Sequence, residues 1–287
     1  MLFRSALQAA VHERRVARAF AVLRAAGVEP ILGKGWAIAR LYPDPGLRPY
    51  GDVDLYVRPE EHAAAVAALG NPQAEGVDLH AGFAELDDRS PEPLFVRSRV
   101  AMLGGVEVRV FGPADHLRLL ALHMLRHGML RPLWLCDVAL ALESRPADLD
   151  WAVVSSGRPR RTEGVKCAVG LAHQLLGASL DGLPVAERAI RLPRWIVPAV
   201  LRQWSTFKVP HGSRAPMASS LRRPAAFLRS LFLRWPNPIE ATVGAGGPFN
   251  DLPRLPFQLG TCLLRSARFA RSLAEPPRTL TGPRRGS

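Results

Sequence analysis

The sequence predicts an α+β protein, with a mixed β-sheet flanked by helices and followed by a helical region. Up to residue 112, short β-branched runs alternate with stretches of helical periodicity, and from Pro113 onward helical spacing of apolar residues dominates. The chain has 287 residues, of which 48% are hydrophobic and 22% are charged. This balance is typical of a globular protein that buries a core of its own.

The individual elements follow from apolar spacing and from glycine and proline positions. Strands are expected over 28–33, 52–57, 76–83, 93–103 and 106–111, the last two forming a hairpin across Gly104 and Gly105. Helices are expected over 5–26, 34–42, 59–69, 114–128, 132–143, about 148–157 and 163–177. Beyond residue 180, short helices are expected over 192–204, 227–235 and 258–273, a loop over 236–256 and a disordered tail over 275–287.

These elements suggest three units: a mixed α/β domain over 1–112, a helical domain over 113–180 and a Pro/Arg-rich region over 181–287. The net positive charge of the protein lies in the second half of the chain. Residues 1–150 hold 17 basic and 19 acidic side chains, whereas residues 151–287 hold 21 and 6. A basic surface of this kind suits an anionic partner such as RNA.

The three cysteines, Cys136, Cys167 and Cys262, lie far apart and match neither a zinc pattern nor a disulfide framework. No run approaches the roughly 20 apolar residues of a membrane span, and the first residues lack the pattern of a secretory signal. We therefore expect a cytoplasmic protein without a membrane span.

Two aspartates, Asp52 and Asp54, interrupt an apolar β-branched run in the stretch RPYGDVDLYV, residues 48–57. Alternate residues of a strand point to the same face, so the two carboxylates share one side. Hard divalent cations such as Mg²⁺ or Mn²⁺ prefer oxygen ligands and share them with substrate phosphates. The pair is thus a candidate metal site, and an edge strand with polar residues facing water is the alternative.

The preceding strand runs through Gly33, Lys34 and Gly35 into a helix. Glycines let backbone amides approach a triphosphate closely, and a lysine adds a positive charge. Arg48 is a further candidate for contacting phosphate, because a guanidinium binds it bidentately. A salt bridge that stabilises the loop explains Arg48 equally well.

Two residues compete for the role of a third carboxylate. Asp78 lies on the expected strand 76–83, and Glu107 lies on the strand 106–111. Either side chain could face the aspartate pair from a neighbouring strand. His80 shares a face with Asp78, where it could orient that carboxylate, contact substrate or serve only the structure.

Three further residues lie in the helical region. His123 and His127 are spaced i, i+4 on one helix, which can ligate metal but more often serves packing or hydrogen bonding. Asp137 is expected to pair with an arginine such as Arg126 or Arg131.

The stretch LGKGWAIARLYPDPGLRPYGDVDLYV, residues 32–57, resembles the signature of the uncharacterised nucleotidyltransferase family within the polymerase-β-like superfamily. The segments VDLH, residues 77–80, and LALHMLRHGMLRPLWLCDVAL, residues 120–140, resemble its later parts. The resemblance implies a nucleotidyltransferase fold with an appended helical region. It also implies Asp52 and Asp54 as metal ligands with Asp78 as the third carboxylate, and so favours Asp78 over Glu107.

The expected activity is metal-dependent transfer of a nucleoside monophosphate from an NTP to a hydroxyl on a small molecule, protein or RNA. Asp52, Asp54 and Asp78 would act with Mg²⁺ or Mn²⁺, and Gly33, Lys34, Gly35 and Arg48 would hold the triphosphate. The alternative is a nucleic-acid-binding or nucleotide-sensing protein that uses its basic half without turnover.

Overall fold

A five-stranded mixed sheet forms the first half of the protein. The computed structural model describes residues 2–72, 76–86, 88–181, 183, 191–205 and 234–274. The strands are β1 (Ile31–Gly33), β2 (Val53–Val57), β3 (Val77–Ala81), β4 (Arg99–Leu103) and β5 (Val106–Val110), and they lie in the order β3-β2-β1-β5-β4. The prediction of an α+β protein built on a mixed sheet with flanking helices is confirmed.

The central strand β1 determines how the rest of the sheet is assembled. It pairs antiparallel with β2, where Gly33 lies opposite Asp54, and parallel with β5. Strand β3 then adds to β2 in parallel, and β4 adds to β5 through the expected hairpin. The parallel register of β2 and β3 places the carboxylates of Asp54 and Asp78 side by side.

Eleven helices accompany the sheet within the described residues. In the first half they are α1 (Leu2–Ala25), α2 (Gly35–Ala39), α3 (His62–Leu69), α4 (Pro91–Arg97) and α5 (Pro113–Arg126). The remainder are α6 (Pro132–Glu143), α7 (Trp151–Ser155), α8 (Pro159–Leu176), α9 (Ile196–Ser205), α10 (Pro238–Gly244) and α11 (Leu255–Ala274). Proline stands at the start of five of these helices, where its missing N–H group costs no hydrogen bond.

Two predictions of local structure were wrong. The run 93–103 was expected to be one strand, but α4 ends at Arg97 and β4 begins only at Arg99. Pro91 fits the first turn of a helix, and Leu94 and Phe95 are buried, so this short apolar run folds as a helix. The expected loop 236–256 contains α10, whose Asn237 side chain accepts a hydrogen bond from the N–H of Glu240. The expected helix 227–235 and tail 275–287 lie almost wholly outside the described residues.

Each face of the sheet packs into a core of its own. On one face, Val53, Leu55 and Val57 are buried with apolar residues of α1 and α3. On the other face, Ile31 and Tyr56 pack with phenylalanines that follow β3 and β5. A third core joins α5, α6 and α8 to α2, α9 and α10. The boundaries proposed at residues 112 and 180 stay a prediction.

Among the residues that the structure describes, no helix combines the length and apolar character needed to cross a membrane.

Candidate functional site

The parallel pairing of β2 and β3 places polar side chains next to one another at one end of the sheet. Asp54 lies opposite Asp78, and Tyr56 lies opposite His80. Because alternate residues share a face, all four side chains project from the same side. Asp54 is buried, whereas the side chain of Asp78 is 56% exposed, so the site opens to solvent on the Asp78 side.

His80 lies between the two carboxylates. Its Nε2 atom is 3.1 Å from Oδ1 of Asp54 and 3.3 Å from Oδ2 of Asp78. Its ring stacks on the buried ring of Tyr56, with centroids 4.3 Å apart and planes inclined by 13°. One ligand atom each from Asp54, Asp78 and His80 falls within 4.8 Å of the others. This spacing is suitable for a single divalent cation.

Lys34 contacts the same carboxylate oxygen of Asp54 as His80 does. Its Nζ atom is 2.6 Å from Oδ1 of Asp54, and both side chains are nearly buried. The residue joins β1 to α2 with a φ angle of +45°, a conformation that non-glycine residues rarely adopt. The unusual backbone conformation directs the lysine toward the carboxylate from within the sheet.

Gly33 and Gly35, which flank Lys34, are needed for close packing. A Cβ atom on Gly33 would lie 2.7 Å from the ring of Tyr56, so no side chain fits there. Gly35 has a φ angle of +30°, and a Cβ atom on it would lie 3.3 Å from the carbonyl oxygen of Asp52. The two glycines therefore let the turn between β1 and α2 lie directly against β2.

The charges around Asp54 keep it ionised. Burial alone would raise the pKa of Asp54, but the hydrogen bond with His80 and the charge of Lys34 outweigh it. The net result is a pKa below the usual range of an aspartate. Asp54 is therefore a carboxylate at neutral pH.

Asp52 is placed differently from Asp54. It precedes the first residue of β2, is exposed, and does not belong to the group formed by Asp54, Asp78 and His80. Side chains alternate between the two faces along a strand, so the spacing predicts the face on which Asp52 lies. The carboxylate that lies opposite Asp54 is nevertheless Asp78 of the next strand.

Arg48 forms a buried ion pair with Asp137 of α6. Its Nε and one terminal nitrogen lie 2.9 Å and 2.7 Å from the two carboxylate oxygens, and its other terminal nitrogen donates to the carbonyl oxygen of Pro49. Tyr42 also donates to Asp137, at 2.8 Å. The ion pair connects the loop before β2 to the helical region. It is the kind of loop-stabilising salt bridge that the sequence offered as one explanation of Arg48.

The expected partners of Asp137 were wrong. Arg126 instead bonds Glu85, and Arg131 lies over the ring of Trp134. The distance in sequence between Arg48 and Asp137 explains why local patterns did not reveal the pair.

A second group of polar side chains surrounds Glu85 and includes His123 and Arg126, with the charge of Lys34 nearby. Glu85, in the turn after β3, accepts from Arg126 and has its other oxygen buried without a partner. Burial raises the pKa of Glu85, but His123, Lys34 and Arg126 together lower it to about 2. A small cavity beside this group is lined by Lys34, Arg48, Leu120, His123, Trp134 and Asp137. Sequence reasoning missed Glu85, whose burial depends on the fold and not on a motif.

Comparison with known proteins identifies the family. The model of a family described as uncharacterised nucleotidyltransferases matches residues 2–81 and 73–177. The chain belongs to this family. Searches of the curated proteins and of the solved structures found no match.

The family match includes the sheet, the site at the end of β2 and the helices up to α8. It supports nucleotidyl transfer as the class of reaction and an NTP as a substrate. The basic region beyond residue 177 lies outside the match. The family therefore gives no information about the partner of that region.

Glu107, the alternative third carboxylate, lies elsewhere on the sheet. It is exposed on β5, and β1 separates β5 from β2. Among the described residues, Glu107 does not belong to the group formed around Asp54, and neither do His123 and His127. The rings of these two histidines lie 4.6 Å apart, and burial, together with His123, lowers the pKa of His127 to about 4.

Proposed function

We propose that this family member transfers a nucleoside monophosphate from an NTP to a hydroxyl of its acceptor, and that transfer depends on a divalent metal. The observation that carries the proposal is the pair of adjacent carboxylates, Asp54 and Asp78, with the ammonium of Lys34 2.6 Å from Asp54. A family assignment alone gives a reaction class, whereas this arrangement supports specific roles for its residues.

The donor set fits a divalent cation. Asp54 and Asp78 supply oxygen atoms from neighbouring strands, one buried and one exposed. Asp52 precedes Asp54 by two residues in the sequence and is exposed. A bound Mg²⁺ or Mn²⁺ would neutralise phosphate charge and polarise the α-phosphate. Asp52, Asp54 and Asp78 are the residues that we propose to hold it.

Lys34 is the residue that we propose to bind the triphosphate. Its ammonium pairs with Asp54 in the structure, so it lies where a phosphate beside the carboxylates would need a positive charge. Gly33 and Gly35 leave no side chain between this turn and β2. Arg48 lines the same cavity as Lys34, and we propose that N–H groups not bound to Asp137 contact the triphosphate.

Asp78 is the residue that we propose to face the acceptor. Its side chain is more than half exposed, whereas that of Asp54 is nearly buried. An incoming hydroxyl would therefore meet Asp78 first, and this carboxylate is placed to help remove its proton.

Transfer of label tests the proposal. Purified protein is incubated with each α-³²P-labelled NTP, Mg²⁺ or Mn²⁺, and a cell extract as the source of acceptor. The wild type should label a protein, an RNA or a small molecule, and the variant Asp52→Asn/Asp54→Asn should not. Glu107→Gln is the matched control, because it removes an exposed carboxylate of the same sheet away from the site. Equal labelling by the double variant would contradict the proposal.

The alternative is a binding protein that uses the basic half of the chain without turnover. It is supported by the 21 basic and 6 acidic side chains of residues 151–287 and by the exposed arginines of α11, such as Arg265 and Arg271. If no label is transferred, RNA binding would favour this alternative under three conditions. The binding weakens steeply with salt, needs no metal, and survives in the variant Asp52→Asn/Asp54→Asn.

A further inference from the structure

We propose that His80 is a direct metal ligand, so that the site takes a first-row transition ion such as Mn²⁺ in preference to Mg²⁺. The inference rests on the proposed function and adds to it the identity of the ion. In this proposal His80 binds the metal directly, whereas a site formed by the carboxylates alone would need no imidazole.

The imidazole of His80 is positioned to share a metal ion with both carboxylates. Nε2 of His80 is about equally far from the two carboxylates, at 3.1 Å from Asp54 and 3.3 Å from Asp78. A side chain that served only to orient Asp78 would have no need to approach Asp54 as well. The nitrogen and the two oxygens instead surround one point at the solvent-facing end of β2 and β3.

The imidazole ring of His80 is also held in place by the aromatic core. It stacks at 4.3 Å on Tyr56, which is 1% exposed and is itself packed against Phe83 and Phe111. A ligand fixed in this way loses little conformational freedom when a metal binds. The aromatic core beneath the site thus keeps Nε2 directed toward the carboxylates.

The ligand chemistry of this group of side chains favours a transition ion over Mg²⁺. Mg²⁺ demands oxygen ligands and keeps much of its water, whereas an imidazole nitrogen suits first-row transition ions such as Zn²⁺ and Fe²⁺. Mn²⁺ binds nitrogen more weakly than these ions do, but it accepts an imidazole more readily than Mg²⁺ does. A set of two carboxylates and one imidazole therefore discriminates against Mg²⁺. Oxygen-only coordination, with His80 hydrogen-bonded to the carboxylates, would give no such discrimination.

The experiment measures the metal site spectroscopically and does not depend on turnover. Mn²⁺ is added to the full-length wild type, to His80→Gln and to the control His62→Gln, in which a histidine at the start of α3 is changed. Pulsed electron paramagnetic resonance then detects ¹⁴N nuclei bonded directly to Mn²⁺. Glutamine retains a side-chain N–H donor for Asp54, so loss of hydrogen bonding alone does not explain an effect. Unfolding midpoints confirm that each variant is folded.

We expect directly bound ¹⁴N in the wild type and in His62→Gln, and none in His80→Gln. We also expect His80→Gln to weaken Mn²⁺ binding about tenfold or more, at least as much as the loss of a residue that only orients a metal ligand, and Mg²⁺ binding much less. Mn²⁺ binding without a nitrogen signal in the wild type, or a nitrogen signal that persists in His80→Gln, would overturn the inference.

The outcomes also separate this inference from the proposed function. If Mn²⁺ binds without nitrogen and Asp54→Asn abolishes binding, the role of His80 is wrong while the carboxylate site stands. If the wild type binds no Mn²⁺, the role of His80 is again wrong. The proposed function then fails only if metal-dependent label transfer is absent as well.

Discussion

Each partner of the buried ion pair between Arg48 and Asp137 should be essential for stability as long as the other partner is present. The side chain of Asp137 is 1% exposed and that of Arg48 is 8% exposed. Asp137→Leu would leave a buried guanidinium without its counter-charge and remove the acceptor of Tyr42. Removing one partner of such a pair costs about 3–5 kcal/mol, whereas replacing both by apolar groups is often close to neutral.

The assay is urea unfolding of four proteins: the wild type, Asp137→Leu, Arg48→Met and Arg48→Met/Asp137→Leu. Each single variant should lose about 3–5 kcal/mol in the free energy of unfolding, and the double variant should recover most of that loss. Losses below about 1 kcal/mol, or a double loss equal to the sum of the single losses, would refute the reasoning.

The double variant also tests the second role proposed for Arg48. If it is as stable as the wild type but binds NTP more weakly, Arg48 contacts the triphosphate in addition to joining the loop to α6. If it binds NTP equally well, the role of Arg48 is the ion pair alone. The nucleotide affinity is measured under the same metal concentration for both proteins.

Three further predictions concern the turn before α2 and the group around Glu85. Gly33→Ala should lower the free energy of unfolding by about 1–3 kcal/mol, because its Cβ would lie 2.7 Å from the ring of Tyr56, and an unchanged urea midpoint would contradict this packing. Glu85 has its pKa lowered to about 2, so its ionised form stabilises the fold above about pH 4.5, and that contribution is lost as the pH falls toward 2. Glu85→Gln should therefore be less stable than the wild type by up to about 3 kcal/mol at pH 7. This difference in the free energy of unfolding should shrink between pH 4.5 and 2. A difference that stays constant with pH would contradict the stabilising role of the Glu85 carboxylate. Lys34→Met should weaken NTP binding at least tenfold while Mn²⁺ binding is kept, and calorimetric titrations that show unchanged NTP affinity would remove Lys34 from the proposed triphosphate site.

Local patterns were sufficient for most strands of the sheet and for part of the site. The alternation of Val53, Leu55 and Val57 with polar positions identified β2, and the neighbouring glycines identified the turn around Lys34. The position of Asp78 beside Asp54 required the resemblance to a family, because residue spacing alone left Glu107 as an equal choice.

Other features depend on contacts between distant parts of the chain. Arg48 and Asp137 are 89 residues apart, and Glu85 and Arg126 are 41 apart, so neither pair leaves a local signal.

The position of Asp52 shows a related limit. An i, i+2 spacing fixes the face on which a side chain lies, but not whether two carboxylates converge. Short apolar runs such as that of α4 were ambiguous because they fit either a strand or a helical turn.

The most direct test of nucleotidyl transfer is to follow the α- and γ-phosphates of one NTP separately. Wild-type protein with metal and extract is given either α-³²P- or γ-³²P-labelled nucleotide, beside Asp54→Asn. We expect the α label on the acceptor and the γ label in pyrophosphate with the wild type, and neither with Asp54→Asn. Transfer of the γ label to the acceptor, or transfer that survives in Asp54→Asn, would contradict it.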